Sequence, residues 1–341
     1  MQYLTTEDTE EHRDYNSRMD GALIIDKPAG MTSHDVVARV RKIIGERRVG
    51  HTGTLDPFAT GVLVVVVGRA TRLAQFLSGA EKEYEAVIRL GYATDTGDVT
   101  GARVLSEPPA VAGGPHAKAQ STQSLRSEEI ESALASLRGE IEQTPPMYSA
   151  RKIAGQKLYE LARRGEEVER KAVRVNIAAF ETTPSKSELL KQNNDGTRDL
   201  AVRVVCSAGT YVRSLAESVG ERLGVGAHLT QLRRTRAGQF KIGDAITLDR
   251  LDEMAKSGSI AQALISPDAA LAHLPFLNLD AADARRVRHG IDVAIEDAER
   301  SQWPVEQPVR LRDLNEELIA VGIYQQRART VHPSVVIADN T

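Results

Sequence analysis

Gly50-His51-Thr52-Gly53-Thr54-Leu55-Asp56-Pro57-Phe58-Ala59-Thr60-Gly61 runs straight into Val62-Leu63-Val64-Val65-Val66-Val67, and this junction decides the fold. Three glycines let backbone approach a ligand closely. Asp56 precedes a proline, so its backbone is driven extended and its side chain sits on a constrained turn. The unbroken apolar run reads as a strand buried on both faces. Upstream, Ala22–Asp26 is a second short strand that must end at Lys27-Pro28, because proline has no amide to donate. Thr32 or Ser33 then caps a helix with Val36, Val37, Val40, Ile43 and Ile44 at helical spacing, and Gly45 stops it.

Downstream, Tyr84, Ala86, Ile88 and Leu90 alternate on one face of a strand. Residues 106–127 are rich in Pro, Gly, Ser and Ala without a period and read as a flexible insertion. Glu128–Arg138 reads as a helix ended by Gly139. Residues 143–172 hold two adjacent prolines and a basic helix-like piece, Gln156–Arg164. Val173–Phe180 and Leu200–Cys206 read as strands, with residues 182–199 as a long hairpin insertion. Tyr211–Leu223 has helical periodicity, with Thr210 able to cap. Ser266-Pro267 and Leu274-Pro275 mark a boundary. Residues 275–338 then give short strands such as Leu318–Ile323 and Val335–Ile337, a separate β-rich module.

The chain has 341 residues, one cysteine and 41% hydrophobic residues, enough to bury a core and too few thiols for a disulfide scaffold or thiolate metal cage. The longest apolar run is too short to span a bilayer. Residues 1–20 carry six acids and two bases and read as a disordered leader, not a signal peptide. Cytoplasmic residence is expected. The leader's −4 leaves residues 21–341 at +1. Within that neutral body the bases cluster: five bases and one acid over Arg39–Arg48, eight and four over Met147–Arg174, seven and two over Arg203–Lys241. Such local patches can make a phosphate-binding footprint, although any one of them could be a solvated helix face.

Two segments point to chemistry. The Gly50–Gly61 loop lacks the Lys-Ser/Thr pair of a phosphate-cradling loop, and no second histidine stands at metal-ligand spacing from His51. In Cys206-Ser207-Ala208-Gly209-Thr210-Tyr211-Val212-Arg213, the arginine falls in a first helical turn, where the macrodipole disfavours a cation. An anionic partner such as Asp56 would explain it, and that pairing is expected to lower the Asp56 pKa. A plain structural salt bridge is an equal alternative. Cys206, in an apolar strand without an adjacent histidine, reads as buried and inert. Tyr84 is either core or a stacking platform for a base.

These residues closely resemble the bacterial tRNA pseudouridine-55 synthases, the TruB family. The likeness rests on Ile25-Asp26-Lys27-Pro28-Ala29-Gly30-Met31-Thr32-Ser33, the Gly50–Gly61 loop, Lys82-Glu83-Tyr84 with Thr94-Asp95-Thr96-Gly97-Asp98, and Gly209-Thr210-Tyr211-Val212-Arg213. Pro145–Ala150, Gly226–Leu229 and Leu232-Arg233-Arg234 add to it. It covers residues 21–260 in order. The module after it is more weakly similar to an RNA-binding PUA-type domain. The resemblance implies an α+β catalytic domain over 21–266 on a mixed, largely antiparallel sheet, followed by a small β-rich PUA-like module over 275–338. It implies isomerisation of a T-loop uridine in tRNA without cofactor or metal, by a monomer. Asp56 falls on the family's essential aspartate, Arg213 on its arginine partner and Tyr84 on its base-stacking tyrosine. Tyr211 is the second site tyrosine, His51 the histidine that meets RNA and Leu232 a pocket leucine. Lys27 and Pro28 match a supporting segment, and residues 143–172 match a loop that closes over RNA.

The reaction turns uracil about and rejoins it through C5, with nothing gained or lost, so no redox or group carrier is needed. An ionised carboxylate can add to the nucleotide or take the ribose 2′ proton. A stacked base must first be flipped out, at a cost of roughly a few kcal/mol. Stacking on Tyr84 would offset about 1–3 kcal/mol of that. Two alternatives stand beside this reading: an RNA-binding or RNA-folding protein without catalysis, and a synthase acting on another RNA.

Overall fold

The computed structural model describes residues 19–104, 122, 125–149, 151–153, 155–166, 168–183, 189–295 and 303–337. β1 (Gly21–Lys27) leads through Pro28 into α1 (Ser33–Ile44). Thr32 caps α1 in a reciprocal box with Asp35, and Gly45 closes it at a φ of 71°, a left-handed conformation glycine adopts without strain. β2 (Val49–His51) and β3 (Thr60–Val67) flank the motif loop. After α2 (Ala74–Ser78) come β4 (Lys82–Leu90) and a hairpin of β5 (Ala93–Thr94) with β6 (Arg103–Val104). Next are α3 (Ser127–Ala135), β7 (Gly139–Gln143), β8 (Lys152–Ile153), β9 (Gln156–Lys157) and α4 (Leu158–Arg163). They lead to β10 (Val173–Thr182), β11 (Leu190–Gln192), β12 (Arg198–Cys206), α5 (Val212–Arg222), β13 (Ala227–Ala237) and β14 (Phe240–Lys241).

These strands make one mixed sheet in the order β1-β3-β13-β4-β12-β10-β7. Its pairings are antiparallel except β13 with β3, where Arg233 and Arg234 lie opposite Thr60 and Gly61. The sheet is therefore mixed and largely antiparallel, as expected. The apolar run of β3 needs both its faces covered. Leu63, Val65 and Val67 pack with Val36, Val37 and Val40 of α1, while Val62, Val64 and Val66 join a second apolar cluster that reaches through Leu73, Phe240 and Leu271 to Leu318, Val321 and Val335 of the C-terminal module. Each fully buried valine is worth roughly 1.5–3 kcal/mol. Gly61 marks the tight point: at φ 99°, a Cβ there would stand 2.2 Å from the Arg234 carbonyl oxygen.

Beyond β14 come α6 (Leu248–Lys256), α7 (Pro267–Ala270), β15 (Phe276–Asn278), α8 (Ala281–Arg288) and β16 (Val293–Ala294). β17 (Pro308–Arg312), β18 (Leu318–Gln325) and β19 (Thr330–Val336) complete a second sheet in the order β15-β17-β18-β19-β16. It shares an apolar layer with the first sheet. Asp268 on α7 pins it further, taking Arg312 at 2.6 Å and Arg310 at 2.9 Å.

Several boundaries differ from the sequence reading. The helix expected over Glu128–Arg138 stops at Ala135, because residues 136–138 already turn toward Gly139, at φ 81°. Thr210 does not cap α5. Its hydroxyl donates to the Ser207 carbonyl, and Tyr211 is the N-cap residue without a side-chain cap. Within the 182–199 insertion, β11 pairs antiparallel with the start of β12, and residues 184–188 lie outside the described residues. Residues 1–18 of the leader and residues 105–121 of the first insertion lie outside the described residues. Asp20, at the leader's end, holds Arg69 at 2.6 Å. No helix among the described residues is long and apolar enough to cross a membrane.

Candidate active site

The motif loop is held by its backbone from four directions. The Ser33 hydroxyl accepts the Leu55 N–H at 2.9 Å and donates to the Leu55 carbonyl at 3.2 Å. Gly30 N–H donates to the Pro57 carbonyl at 2.8 Å. Lys27 Nζ donates to the carbonyls of Pro28 at 2.8 Å and Pro57 at 3.2 Å. Arg234 donates to the carbonyls of Val62 at 2.7 Å, Gly53 at 3.1 Å and Thr54 at 3.5 Å. The carbonyls on either side of Asp56, at Leu55 and Pro57, are thus engaged by other residues, and its side chain is left to other work.

That side chain meets Arg213. Nε lies 2.9 Å from Asp56 Oδ2 and Nη2 3.3 Å from Oδ1, a two-point pair. The guanidinium also donates to the carbonyls of Thr96 at 2.8 Å and Tyr148 at 2.6 Å, and stands 3.8 Å from Asp98 Oδ2. Arg213 is 4% exposed and Asp56 33%. The cation is sealed, whereas the carboxylate keeps an open edge that a substrate can reach. This answers why a cation occupies the first turn of α5: carboxylates and carbonyls outweigh the macrodipole. Asp98 is itself fixed, accepting from Thr96 Oγ1 at 3.0 Å and Thr100 N–H at 2.9 Å.

The electrostatics correct one expectation. Burial pushes the Asp56 carboxyl above its ordinary range. The pull of Arg213 is the largest opposing effect and does not overcome it, while Asp98 adds to the rise. Lys27 is wholly buried and its ammonium is lowered to about 8 by burial, with Asp56 pulling the other way. Burial raises the Tyr84 phenol. It lowers the His51 imidazole, with His34 and Arg234 adding to the effect. Cys206 is buried and raised to about 11, an inert thiol.

Of the remaining expected site residues, Tyr84 is 8% exposed on β4, directly opposite Arg234 of β13. It packs in one cluster with Leu55 beside Asp56 and with Leu232, 7% exposed and opposite Ala86. Tyr84 and Leu232 are therefore part of the buried core under the Asp56 loop. Tyr211 enters α5 two residues before Arg213, its N–H and carbonyl both bonded to the Gln143 side chain at 2.7 and 3.0 Å. The Pro28 carbonyl accepts from Lys27 Nζ, whose other bond, to the Pro57 carbonyl, is the one that reaches the loop. His51 ends β2, its ring 5.5 Å from that of His34 and edge-on, and its buried Nδ1 has no partner among the described residues. A cavity of about 160 Å³ lined by Thr52, Gly53, Lys82 and Arg234 reaches neither Asp56 nor Arg213.

Sequence reasoning did not assign Asp98, Ser33 or Arg234 a part, though all three lie in the quoted segments. Thr96 and Thr100 flanking Asp98 were the available sign of a carboxylate tied down by its neighbours. Among the described residues no three His, Cys, Asp or Glu side chains converge as a metal site.

Residues 41–212 match the model of the TruB family pseudouridylate synthase N-terminal domain. The chain belongs to that family. Residues 213–272 match the C-terminal domain of tRNA pseudouridylate synthase B. The chain is 48% identical over 271 residues to a tRNA pseudouridine synthase B of Mycobacterium sp. (strain KMS), covering 79% of this chain and 83% of that protein. It is 38% identical over 324 residues to the protein of that name from Bacillus cytotoxicus, covering 94% and 98%. Among solved structures, a chain of a Cbf5-Nop10-Gar1 complex matches with a TM-score of 0.68 at 28% identity, covering 94% of this chain and 86% of that one. The expected fold class holds: an α+β pseudouridine synthase fold with a small, curled β-sheet module of PUA-like character.

Proposed function

We propose that this protein is a tRNA pseudouridine synthase that isomerises the T-loop uridine at position 55, with Asp56 as the group that acts on the nucleotide. One observation carries the reading: a carboxylate with an open edge, paired at two points to a sealed guanidinium and carried on a loop whose carbonyls at Gly53, Thr54, Leu55 and Pro57 are engaged. An acid so placed is pre-aimed and loses little by reorganising when it acts. Lys27, Pro28 and Arg213 orient it. Tyr84 and Leu232 floor the pocket for the extruded base, Tyr211 borders it, and His51 takes the space the base leaves. His51, lowered by burial, meets the RNA as a neutral ring. Relatives at 38–48% identity over most of their length carry the tRNA-synthase name, which favours tRNA over another RNA. The chain works as a cytoplasmic monomer without metal or cofactor, residues 143–172 close over the RNA, and residues 275–338 hold it elsewhere.

The test is incubation of wild type and Asp56→Asn with unmodified tRNA transcript, followed by a chemical pseudouridine map and a filter-binding isotherm. Wild type should modify one T-loop uridine. The variant should lose roughly 10³-fold or more of the rate while keeping RNA binding. Normal modification by the variant would refute the site. Modification elsewhere, with untouched T-loops, would refute the substrate.

A further inference from the structure

The three basic clusters of the sequence are not alike once folded. Over residues 203–241 the charge is spent internally. Arg203 pairs with Glu83 and Glu181, both at 2.9 Å, and Arg233 with Asp26 at 2.8 Å. Arg236 pairs with Glu81 at 2.8 Å and Glu83 at 3.3 Å, Arg213 with Asp56, and Arg234 is turned onto carbonyls. In the 147–174 segment, Arg164 pairs with Glu166 at 3.0 Å and Arg170 donates to the Pro145 carbonyl. The 203–241 cluster is therefore the one whose charge is largely neutralised from within.

The 39–48 cluster differs. Arg41, Lys42, Arg47 and Arg48 are all exposed. Arg41 donates to the Val49 carbonyl, but the side chains of Lys42, Arg47 and Arg48 form no ion pair among the described residues. The acid within the cluster, Glu46, spends an oxygen on the Arg48 main-chain N–H at 2.7 Å. Two of the three acids of the neighbouring α6 are engaged too, Asp252 with Lys256 at 2.6 Å and Glu253 with Arg250 at 2.9 Å, and the third, Asp249, lies in that helix's first turn. The macrodipole accounts for Arg41 and Lys42 in the last turn of α1. It does not account for Arg47 and Arg48, which lie beyond Gly45, outside the helix.

The position of this ridge is set by two elements that both start at the cleft. Lys42 is eight residues along α1 from His34, about 12 Å, and the His34 ring stands edge-on to His51. Arg48 precedes His51 by three residues of extended chain, about 10 Å. We propose that Lys42, Arg47 and Arg48 are a phosphate-binding ridge that takes the RNA backbone on the His51 side of the cleft, beyond the nucleotide that enters it. The inference rests on the RNA-modifying reading. It adds where the substrate's charge is met: on unpaired cations, at a distance of two or three nucleotides from the extruded base. Each phosphate neutralised releases condensed counterions, so the ridge supplies affinity that salt removes and leaves the chemical step alone.

The test is the affinity of the full chain for unmodified tRNA transcript, measured across a salt series. The variants are Lys42→Ala/Arg47→Ala/Arg48→Ala and, as a control of paired charge, Arg236→Ala. The triple variant should lower the slope of log affinity against log salt by roughly 2 to 3, at about 0.9 for each phosphate left without its cation. Its single-turnover rate at saturating RNA should stay at the wild-type value. Arg236→Ala should leave the slope unchanged. A triple variant with the wild-type slope overturns the ridge while wild-type binding and modification leave the synthase reading standing. Wild type that neither binds nor modifies the transcript overturns both.

Discussion

Arg213 and Arg234 are both nearly sealed from solvent, 4% and 2% exposed, yet they are held in opposite ways. Arg213 faces two carboxylates, Asp56 and Asp98, as well as two carbonyls. Arg234 faces the carbonyls of Gly53, Thr54 and Val62 and pairs with no carboxylate among the described residues. Both serve one loop. The first balances the charge of Asp56, and the second fixes the path of the chain that carries it. The charges that move Asp56 include Arg213, Asp98 and Lys27, whereas Arg234 acts on Lys27, His51, Tyr84 and Lys82. A site can thus divide electrostatics and architecture between two copies of the same side chain.

The largest effect should come from breaking the electrostatic half. Arg213→Lys keeps a positive charge but cannot hold two carboxylate oxygens and two carbonyls at once. The rate at saturating RNA should fall roughly 10²-fold. Because Arg213 is what holds the Asp56 carboxyl down, the acidic limb of the pH–rate profile should move to still higher pH. An unmoved limb would mean the pair does not set the ionisation of the acid.

A smaller effect is expected from the architectural half. Arg234→Lys leaves at least one buried carbonyl of the loop without a donor, a loss of about 1–3 kcal/mol in urea unfolding. Activity should fall with it, but the acidic limb should stay at the wild-type pH. If that limb shifts as far as in Arg213→Lys, the two arginines do not differ as described.

The smallest effect concerns another buried cation. Lys82 donates to the carbonyls of Ser78, at 2.6 Å, and Ala80, and burial lowers its ammonium to about 8. With the folded value below the unfolded one, its contribution to stability is fully present only above the unfolded value, near 10.5. It is lost as pH falls through about 8. Lys82→Met should therefore gain on wild type as pH drops from 10.5 to below 8, by at most about 3 kcal/mol, with activity little changed. A stability difference that is flat across that window would refute it.

The fold was legible where one residue type had one physical reading. The unbroken run over Val62–Val67 could only be a strand covered on both sides, and the alternation from Tyr84 to Leu90 fixed which side chains turn inward. The misplaced cation at Arg213 was legible for the same reason, since a broken local rule demands a partner. What the sequence hid were contacts made through main-chain atoms. The bonds of Ser33 to Leu55 and of Arg234 to Gly53 leave no trace in residue type, because every residue has a carbonyl. The net shift of Asp56 was hidden as well. Pairing was visible as residue types, but the depth of burial opposing it depends on how segments distant in sequence close around the loop.

One consequence follows from the layer that Val62, Val64 and Val66 share with Leu318, Val321 and Val335. With Asp268 clasping Arg310 and Arg312 at its edge, the C-terminal sheet is braced by side chains as well as by the chain that leads into it. Its distance from Asp56 is therefore a matter of packing, and a substitution in that shared layer would loosen the spacing between the two sheets without touching either one's own strands.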